Sequence, residues 1–242
     1  MIFIDATEGL SGDMLLSGML ALLDERELGE LRSLMILAAE EEGIELILGE
    51  VVDAGDRGLA ISYVHPEPTH FGASSDECFS RLARIEGNLR SHSSFGRAIL
   101  HRIFEAEGEA HQVPPKEVHL HEIARPQALL NIAGIGMVAS MLLDRGMGPF
   151  KCSTIVTGSG IVVVSHGAIR VPAPASKILL RGLRHEAGTS PGERATPTGI
   201  AAVGTIIEGQ SDDWPERPKG KGVGFGTKRF AGRLGRTTLY FS

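Results

Sequence analysis

The spacing of apolar residues along the first 64 positions predicts alternating strands and helices. Ile2–Asp5 is typical of a short strand, and the next apolar run predicts a helix through Met14–Leu23 with Ser11 at its N-cap position. A second helix is predicted over Glu30–Glu42. Three runs of strand-forming residues follow, at Ile44–Leu48, Val51–Asp53 and Ile61–Val64. Residues 1–64 therefore predict an N-terminal α/β part.

The apolar pattern stops at residues 65–75, where two prolines, a glycine and serines predict a linker or surface loop. Residues 76–242 form the main α+β part, which could also be one compact domain with the first. Within it, Phe95, Ile99 and Ile103 lie on one face of a predicted helix. The helix predicted from Pro126 to Arg145 is apolar nearly all round, so we expect it to be buried.

The second half of the chain mixes strand and helix signals. Ser153–Val156 and Ile161–Val164 predict two strands around the glycine-rich turn Thr157–Gly160, which together fit a β-hairpin. Helices are predicted over Ser176–Leu183 and Pro197–Glu208. The predicted fold class is α+β or mixed α/β, a sheet with packed helices and at least one β-hairpin.

Composition places the chain among ordinary soluble globular proteins, with 242 residues, 42% hydrophobic and 22% charged. The apolar stretches are shorter than the roughly 20 residues of a membrane span, and the N-terminus lacks the features of a secretory signal. We therefore expect a cytoplasmic protein without a membrane partner. Cys78 and Cys152 lack the spacing of a thiolate metal site or a disulfide framework and are expected to be buried.

Charge is distributed unevenly along the sequence. The net charge is −6, yet Trp214–Ser242 holds seven Lys and Arg residues against one Glu. This basic end indicates an anion site or partner contact near Lys228 and Arg229, or a solvated tail. Because the basic segment is short and the rest of the chain is acidic, nucleic-acid binding is not expected.

His119, His121 and Glu122 form the clearest local candidate for metal or proton chemistry. Alternation places the two imidazoles on one face of an extended segment, where both can reach one ion. Imidazole suits nickel, zinc and copper, and the carboxylate can complete or orient the site. The same pattern also fits two solvated surface histidines, and the residues alone leave both interpretations open.

Two glycine-containing turns each fit either a ligand-binding loop or a purely structural turn. Gly9–Asp13 lies between a strand and a helix, where backbone N–H groups favour an anion. The Asp13 carboxylate opposes that, so the loop could instead hold a cation that bridges to phosphate, or be a simple tight turn. Thr157–Gly160 allows close approach to a ligand or serves the predicted hairpin.

A further group of polar residues surrounds the predicted start of the last helix. Thr196 is the expected N-cap, with Pro197 at the first helical position, which leaves Glu193 and Thr198 as candidates for a functional role. His166 is a lone turn histidine, whose simplest interpretation is a surface residue.

Taken in order, the motifs resemble the N-terminal part of the LarC family, the nickel insertion proteins that complete the nickel-pincer nucleotide cofactor. The resemblance spans nearly the whole chain and rests on Asp5–Met14, His119–Glu122, Gly158–Gly160, His166–Gly167, Val171–Ala175, Glu193, Thr196–Gly199 and Gly222–Thr227.

The resemblance implies insertion of nickel into pyridinium-3,5-bisthiocarboxylic acid mononucleotide, with two Ni–S bonds, one Ni–C bond and CTP hydrolysis. It implies metal ligation by Asp13, His119, His121 and Glu122, and catalysis by His121, Glu122 and Glu193. The implied contacts to the nucleotide substrate are Asp5, Ser11, Gly12, Ser159, His166, Thr196, Thr198, Lys228 and Arg229.

Three features depart from the family pattern. Gln127 and Asn131 stand where family members have two aspartates, and only His65 and His70 stand where many have a histidine-rich stretch. The CTP-binding C-terminal domain of the family is not part of this sequence, so CTP with Mg or Mn is expected only if a separately encoded partner domain supplies the site. The sequence leaves the oligomeric state open, and a homo-oligomer is one option.

These departures keep two alternatives open. One is a diverged enzyme on the same scaffold, using His and Glu acid–base or metal chemistry on another nucleotide-like or thiocarboxylated substrate. The other is a non-catalytic metal-binding partner or metallochaperone.

Overall fold

The computed structural model of the protein describes residues 1–65, 72–120, 124–164 and 167–242. Its helices are α1 (Gly12–Leu20), α2 (Glu25–Glu41), α3 (Ser75–Asn88), α4 (Phe95–His111), α5 (Pro126–Asp144), α6 (Pro174–Leu179) and α7 (Pro197–Ile206), with a 3₁₀ turn at Pro115–Glu117. Its strands are β1 (Ile2–Asp5), β2 (Glu45–Asp53), β3 (Asp56–Val64), β4 (Ala73–Ser74), β5 (His119–Leu120), β6 (Phe150–Cys152), β7 (Ile155–Val156), β8 (Gly158–Ser159), β9 (Ile161–Val164), β10 (Gly167–Arg170), β11 (His185–Glu186), β12 (Gly192–Glu193), β13 (Ile207–Gln210), β14 (Gly220–Phe230) and β15 (Arg233–Phe241).

A mixed sheet of seven strands, in the order β13-β6-β1-β15-β14-β3-β2, organises the fold. β13, β6 and β1 run parallel, β15 is antiparallel to both β1 and β14, and the hairpin β2–β3 joins through a parallel contact between β3 and β14. The predicted mixed α/β class with a hairpin is confirmed. Strands from residues 1–64 and from the C-terminal segment share this one sheet, with β15 and β14 at its centre.

Helix α5 is the centre of the helical layer. It contacts α1, α2, α3, α4 and α7, and it is buried nearly all round, as the sequence predicted. By length and composition alone it is the one described helix apolar enough to span a membrane. Its contacts with these five helices bury it in the protein core, and this burial explains its apolar composition.

A row of glycines in β14 lets α1 approach the sheet closely. Gly222 and Gly224 face α1, and a Cβ on Gly224 would overlap the carbonyl oxygen of Met14. Val223 and Phe225 alternate with them and are buried on the other face. The glycine-rich run is therefore required for helix–sheet packing, and it places the start of α1 beside the C-terminal hairpin.

The basic C-terminal segment folds back onto acidic residues of the body. Arg236 donates to Asp56 at 2.7 Å and to Glu8 at 3.2 Å, and Lys221 donates to Asp56 at 2.7 Å. Arg229 donates to Asp53 at 3.0 Å. The segment is thus the β14–β15 hairpin at the centre of the sheet rather than a solvated tail.

Several element boundaries differ from the predictions because of capping and turn chemistry. Helix α2 begins at Glu25, five residues before the predicted start, because Asp24 and Glu27 form a capping box. The two strands predicted at Ile44–Leu48 and Val51–Asp53 are one strand, β2, which turns into β3 through Ala54 and Gly55, both with positive φ.

The linker predicted at 65–75 has its central residues, 66–71, outside the described residues. Its end is not a loop, because Ala73–Ser74 pairs with His119–Leu120 and Ser74 caps α3 in a second capping box. Helix α6 begins at Pro174 and ends at Leu179, and α7 ends at Ile206, where the chain enters β13.

The hairpin predicted around Thr157–Gly160 is wrong. Ile161–Val164 pairs forward with Gly167–Arg170, whereas β7 pairs in parallel with β11 and β8 pairs with β12. Apolar strands of similar length carry no local signal for their partner, so tertiary contacts decided the pairing. As a result, Glu193 lies directly opposite Gly158 in the β8–β12 ladder.

Both cysteines are buried and free, as predicted. Burial raises the pKa of the Cys78 thiol to about 11 and that of the Cys152 thiol to about 12. Neither thiol is therefore a reactive thiolate at neutral pH.

Glu42 joins the C-terminal end of α2 to α3, and its charge is expected to support the fold. Its side chain is 2% exposed and accepts from Arg81 at 2.6 and 3.0 Å and from Arg84. We expect Glu42→Gln to lower the free energy of unfolding by about 2 kcal/mol, since hydrogen bonds to a charged acceptor are lost. A thermal melt should show a Tm lower by roughly 4–8 °C. Glu41→Gln, at an exposed neighbour, is the control, and an equal shift in both variants would contradict the interpretation.

Candidate functional site

A cavity of about 370 Å³ opens where the starts of α1, α5, α6 and α7 meet. Its lining includes most of the motifs that the sequence singled out, although they lie far apart along the chain. The lining residues are Ser11, Gly12, Asp13, Glu107, Ala110, His111, His119, Leu120, Gln127, Ala128, Asn131, Val162, Ile169, Ala173, Pro174, Ala175, Glu193, Thr196, Pro197 and Thr198.

A second cavity of about 200 Å³ adjoins the first and extends towards the β14–β15 hairpin. The two cavities share Ser11, Asp13, Glu193 and Thr196. The second is completed by Met14, Arg194, Gly226, Thr227, Lys228, Phe230 and Gly235. A ligand longer than one ring could therefore extend from the first cavity into the second.

Backbone hydrogen bonds between two loops hold the shared wall in place. The Leu10 amide donates to the Arg194 carbonyl at 2.8 Å, and the Thr196 amide donates to the Leu10 carbonyl at 2.9 Å. Gly199 lies against this bridge, because a Cβ there would meet the Leu10 carbonyl. The start of α1 and the start of α7 are thus fixed relative to each other, and with them the side chains that line both cavities.

Asp13 is the half-buried carboxylate of the shared wall. The Ser11 hydroxyl donates to it at 2.5 Å, so Ser11 occupies the N-cap position of α1 but makes no side-chain capping bond. Burial raises the pKa of Asp13, while the Ser11 hydrogen bond, backbone N–H groups and the charge of Lys228 act in the opposite direction. A partly desolvated carboxylate of this kind favours a cation or a proton as its ligand.

Two amides form the α5 wall of the first cavity. The Tyr63 hydroxyl donates to Oδ1 of Asn131 at 2.7 Å, and burial together with the charge of Asp13 raises the Tyr63 pKa well above its usual value. Gln127 Oε1 is buried and has no hydrogen-bond partner among the described residues. Sequence reasoning singled out Gln127 and Asn131 but missed Tyr63, whose contact joins positions 68 residues apart.

Of the two histidines predicted as metal ligands, His119 lies among the described residues. It is exposed on β5 and lines the first cavity, while Val118 and Leu120 are buried, so the predicted alternation is confirmed. His121, Glu122 and His166 lie outside the described residues. Within the four described ranges, no three His, Cys, Asp or Glu side chains lie close enough to hold a metal ion.

The start of α7 contributes the threonines that the sequence predicted. Thr196 accepts a capping hydrogen bond from the Gly199 amide at 3.4 Å and lines both cavities. Thr198 is almost fully buried and lines the first cavity, where it packs beside Gly12. Glu193 reaches both cavities from β12.

Three predicted substrate residues line neither of these two cavities. Asp5 accepts from the backbone and hydroxyl of Thr7 at 3.0 and 2.6 Å in the turn after β1. Ser159 donates to the Ser190 carbonyl at 3.2 Å. Arg229 is bonded to Asp53 and to the Gly232 carbonyl, because alternation along β14 sends it away from Lys228.

Arg194 is a cavity residue that sequence reasoning missed. Its guanidinium carbon lies 4.6 Å from the centre of the Phe230 ring, and it lines the second cavity beside Lys228. Arg194 and Phe230 also border a third cavity, together with Thr7, Glu8 and Arg233. The only local signal was the position of Arg194 next to Glu193, since the contact with Phe230 is made across 36 residues of sequence.

Comparison with known proteins agrees with the arrangement of motifs around the cavity. A profile described as "Nickel insertion protein" matches residues 2–239. A provisionally named nickel insertion protein of Geotalea uraniireducens is 30% identical over 237 residues, covering 95% of this chain and 57% of the relative. Another, from Dictyoglomus thermophilum, is 28% identical over 232 residues, covering 95% of this chain and 58% of the relative.

A third relative, from Geobacter sulfurreducens, is 36% identical over 133 residues, which are 55% of this chain and 34% of that protein. No solved structure matches. The chain belongs to the nickel insertion protein family. It spans little more than half the length of the Geotalea uraniireducens and Dictyoglomus thermophilum relatives.

Proposed function

We propose that this chain takes part in inserting nickel into pyridinium-3,5-bisthiocarboxylic acid mononucleotide, as a cyclometallase of the lyase class. The observation that carries the proposal is one cavity, of a size suited to a small ligand, that collects His119, Asp13 and Glu193 beside Val162, Ile169 and apolar residues of α6. Family membership supports nickel as the metal that is inserted.

Insertion of this kind needs donors that hold Ni²⁺ briefly and a base for one ring proton. Imidazole and carboxylate groups suit an exchangeable nickel ion, and His119 and Asp13 supply them in the lining of the first cavity. As the ring C–H bond breaks, its electron pair forms the Ni–C bond and the proton passes to a base. The two thiocarboxylate sulfurs provide the Ni–S bonds, and the metal remains Ni²⁺.

Glu193 is our choice of base among the described residues. It lies on the wall that both cavities share, within the same lining as His119 and Asp13, and general-base catalysis requires a group close to the reacting C–H bond. His121 and Glu122 would add to this donor set. CTP, with Mg²⁺ or Mn²⁺, belongs in this proposal to a partner domain.

The amide pair on α5 favours one second candidate, a diverged enzyme using acid–base chemistry on a different thiocarboxylated or nucleotide-like substrate. Gln127 and Asn131 add neutral oxygens to the cavity wall, and Asn131 Oδ1 is already bonded to Tyr63. Neutral amides bind a divalent cation more weakly than carboxylates do, so this wall suits chemistry without a tightly held metal.

One experiment separates these possibilities. The purified chain is incubated with Ni²⁺ and the dithiocarboxylated mononucleotide, with and without CTP, and nickel incorporation is followed by mass spectrometry and elemental analysis. Nickel-containing product supports insertion. Bound nickel without product supports a metallochaperone, and absence of both nickel and nucleotide binding contradicts the proposal.

His119 provides a variant test of the metal site. We expect His119→Ala to weaken nickel binding at least about tenfold. Loss of a residue that only hydrogen-bonds to a metal ligand already lowers metal affinity by about that factor, and loss of a ligand should cost no less. Equilibrium dialysis with elemental analysis measures the change. His101→Ala is the matched control, because His101 is exposed on α4, where it pairs with Glu105 at 3.3 Å. Unchanged nickel affinity in His119→Ala would contradict the assignment of His119 as a nickel ligand.

A further inference from the structure

Arg194 is a cation held in place without a carboxylate partner among the described residues. Its amide donates to the Thr157 carbonyl at 3.0 Å and its carbonyl accepts from Leu10 at 2.8 Å, so its backbone is fixed on both sides. The Phe230 ring supports the guanidinium, and Nε is buried with no partner in the described part of the chain. No hydrogen-bond acceptor for the guanidinium is found among the described residues, and because Arg194 lines the second cavity, a ligand there can supply one.

Lys228 is the second cation on the same cavity. Along β14, Lys228 lines the second cavity while its neighbour Arg229 is bonded to Asp53. The described residues provide no ion-pair partner for Lys228, although its charge acts on Asp13. By contrast, Lys221 and Arg236 of the same hairpin are both paired with carboxylates.

The order of charges along the two cavities selects the kind of ligand. Asp13 and Glu193 lie on the wall between the cavities, and Arg194 and Lys228 lie on the second cavity. The carboxylates favour a positive group at the shared wall and oppose a bare anion there. The two cations favour an anion beyond it, and Arg in particular matches the oxygens of a phosphate.

Hydroxyl groups complete the second cavity. Thr227 lines it, and Thr196 uses its oxygen as an acceptor from Gly199, so the hydroxyl proton of Thr196 remains for a ligand. A volume of about 200 Å³ accommodates a phosphate group, while the larger first cavity accommodates a ring.

The geometry points to a phosphate-monoester site formed by Arg194 and Lys228, which binds the 5′-phosphate of a mononucleotide whose positively charged ring lies in the first cavity near Asp13 and Glu193. The inference rests on the proposed function for the identity of the ring, but the phosphate site follows from the charges of the second cavity.

Calorimetric titration of the full chain tests the inference with three probes: nicotinic acid mononucleotide, the corresponding riboside without phosphate, and inorganic phosphate. We expect the mononucleotide to bind at least tenfold more tightly than the riboside, and inorganic phosphate to compete with it. Arg194→Gln and Lys228→Gln should each weaken mononucleotide binding at least tenfold and leave riboside binding unchanged, since a charge-assisted contact is lost.

Lys219→Gln is the matched control, because Lys219 also lies over a phenylalanine, Phe241, at 5.4 Å, and lines neither of the two cavities. Arg194→Lys, which keeps the charge, should retain part of the affinity, and circular dichroism checks that each variant is folded. Equal affinity for mononucleotide and riboside, wild-type affinity in both glutamine variants, or no binding of either nucleoside probe would overturn the inference.

The nickel-incorporation assay keeps this result separate from the proposed function. Phosphate-dependent mononucleotide binding without nickel incorporation supports the phosphate site and contradicts the insertion proposal. Nickel incorporation that is equal in wild type and in both glutamine variants contradicts the phosphate site alone.

Discussion

Gly224→Ala is expected to destabilise the protein more than any other single methyl addition to β14. The new Cβ would overlap the Met14 carbonyl oxygen and crowd the Gly18 amide, and both are backbone atoms of α1 that cannot rotate away. Helix and sheet would have to separate locally, so we expect a loss of about 3 kcal/mol or more in the free energy of unfolding. Urea unfolding of the soluble fraction measures this loss.

Alanine substitutions at two other glycines provide comparisons for the stability of Gly224→Ala. Gly226→Ala should cost less, because its Cβ would meet Met14 Sδ at 3.0 Å, the end of a flexible side chain. Gly49→Ala is the control, since Gly49 lies in β2 with no neighbouring atom within 4 Å of its Cβ, and its effect should stay within about 0.5 kcal/mol. If Gly224→Ala and Gly49→Ala have similar stabilities, the close packing of α1 on β14 is contradicted.

Asp13→Asn is expected to stabilise the fold while it weakens function. Burial raises the pKa of Asp13, so the ionised form is disfavoured in the folded protein. At a pH below the pKa that Asp13 has in the unfolded chain, both states are protonated and no stability is lost. The loss grows as the pH rises towards the higher pKa of the folded protein, and above that pKa it is fully present. An amide removes that cost, and we expect a Tm increase of roughly 2–4 °C at pH 7 that shrinks towards pH 4.

The functional loss in Asp13→Asn follows from the same charge. An amide cannot attract a cation at the wall that both cavities share, so nickel binding or mononucleotide binding should weaken at least tenfold. Asp76→Asn is the matched control, as Asp76 is also an acidic residue in the first turn of a helix, but exposed. A lower Tm together with full nickel and nucleotide affinity would contradict the role assigned to Asp13.

Local patterns were sufficient wherever short-range physics decides the structure. The strand Ile2–Asp5, the apolar face of α4 and the burial of α5 nearly all round follow from periodicity. The cap at Thr196 and the alternation at His119 were predicted for the same reason, because each depends on neighbours within three or four positions. The order of the motifs also predicted the family.

Patterns in the sequence failed where the partner lies far along the chain. Ser153–Val156 and Ile161–Val164 have equally good strand composition, yet β7 pairs with the distant β11 and Ile161–Val164 pairs with the next strand, β10. The error at the start of α2 is different, because the capping box of Asp24 and Glu27 is a local signal that was not used. The glycines of 222–226 were recognised as part of a family motif, but the sequence did not show why glycine is needed there. The structure shows that α1 packs too closely for a Cβ.

The sequence by itself determined strand β1, the buried helix α5, the cap at Thr196 and the set of polar motifs available for a site. Only the tertiary structure placed Lys228 on a cavity and Arg229 against Asp53, set Arg194 over Phe230, and bonded Tyr63 to Asn131. Periodicity and capping act over one turn or one strand, whereas a cavity depends on contacts between residues that are tens to hundreds of positions apart.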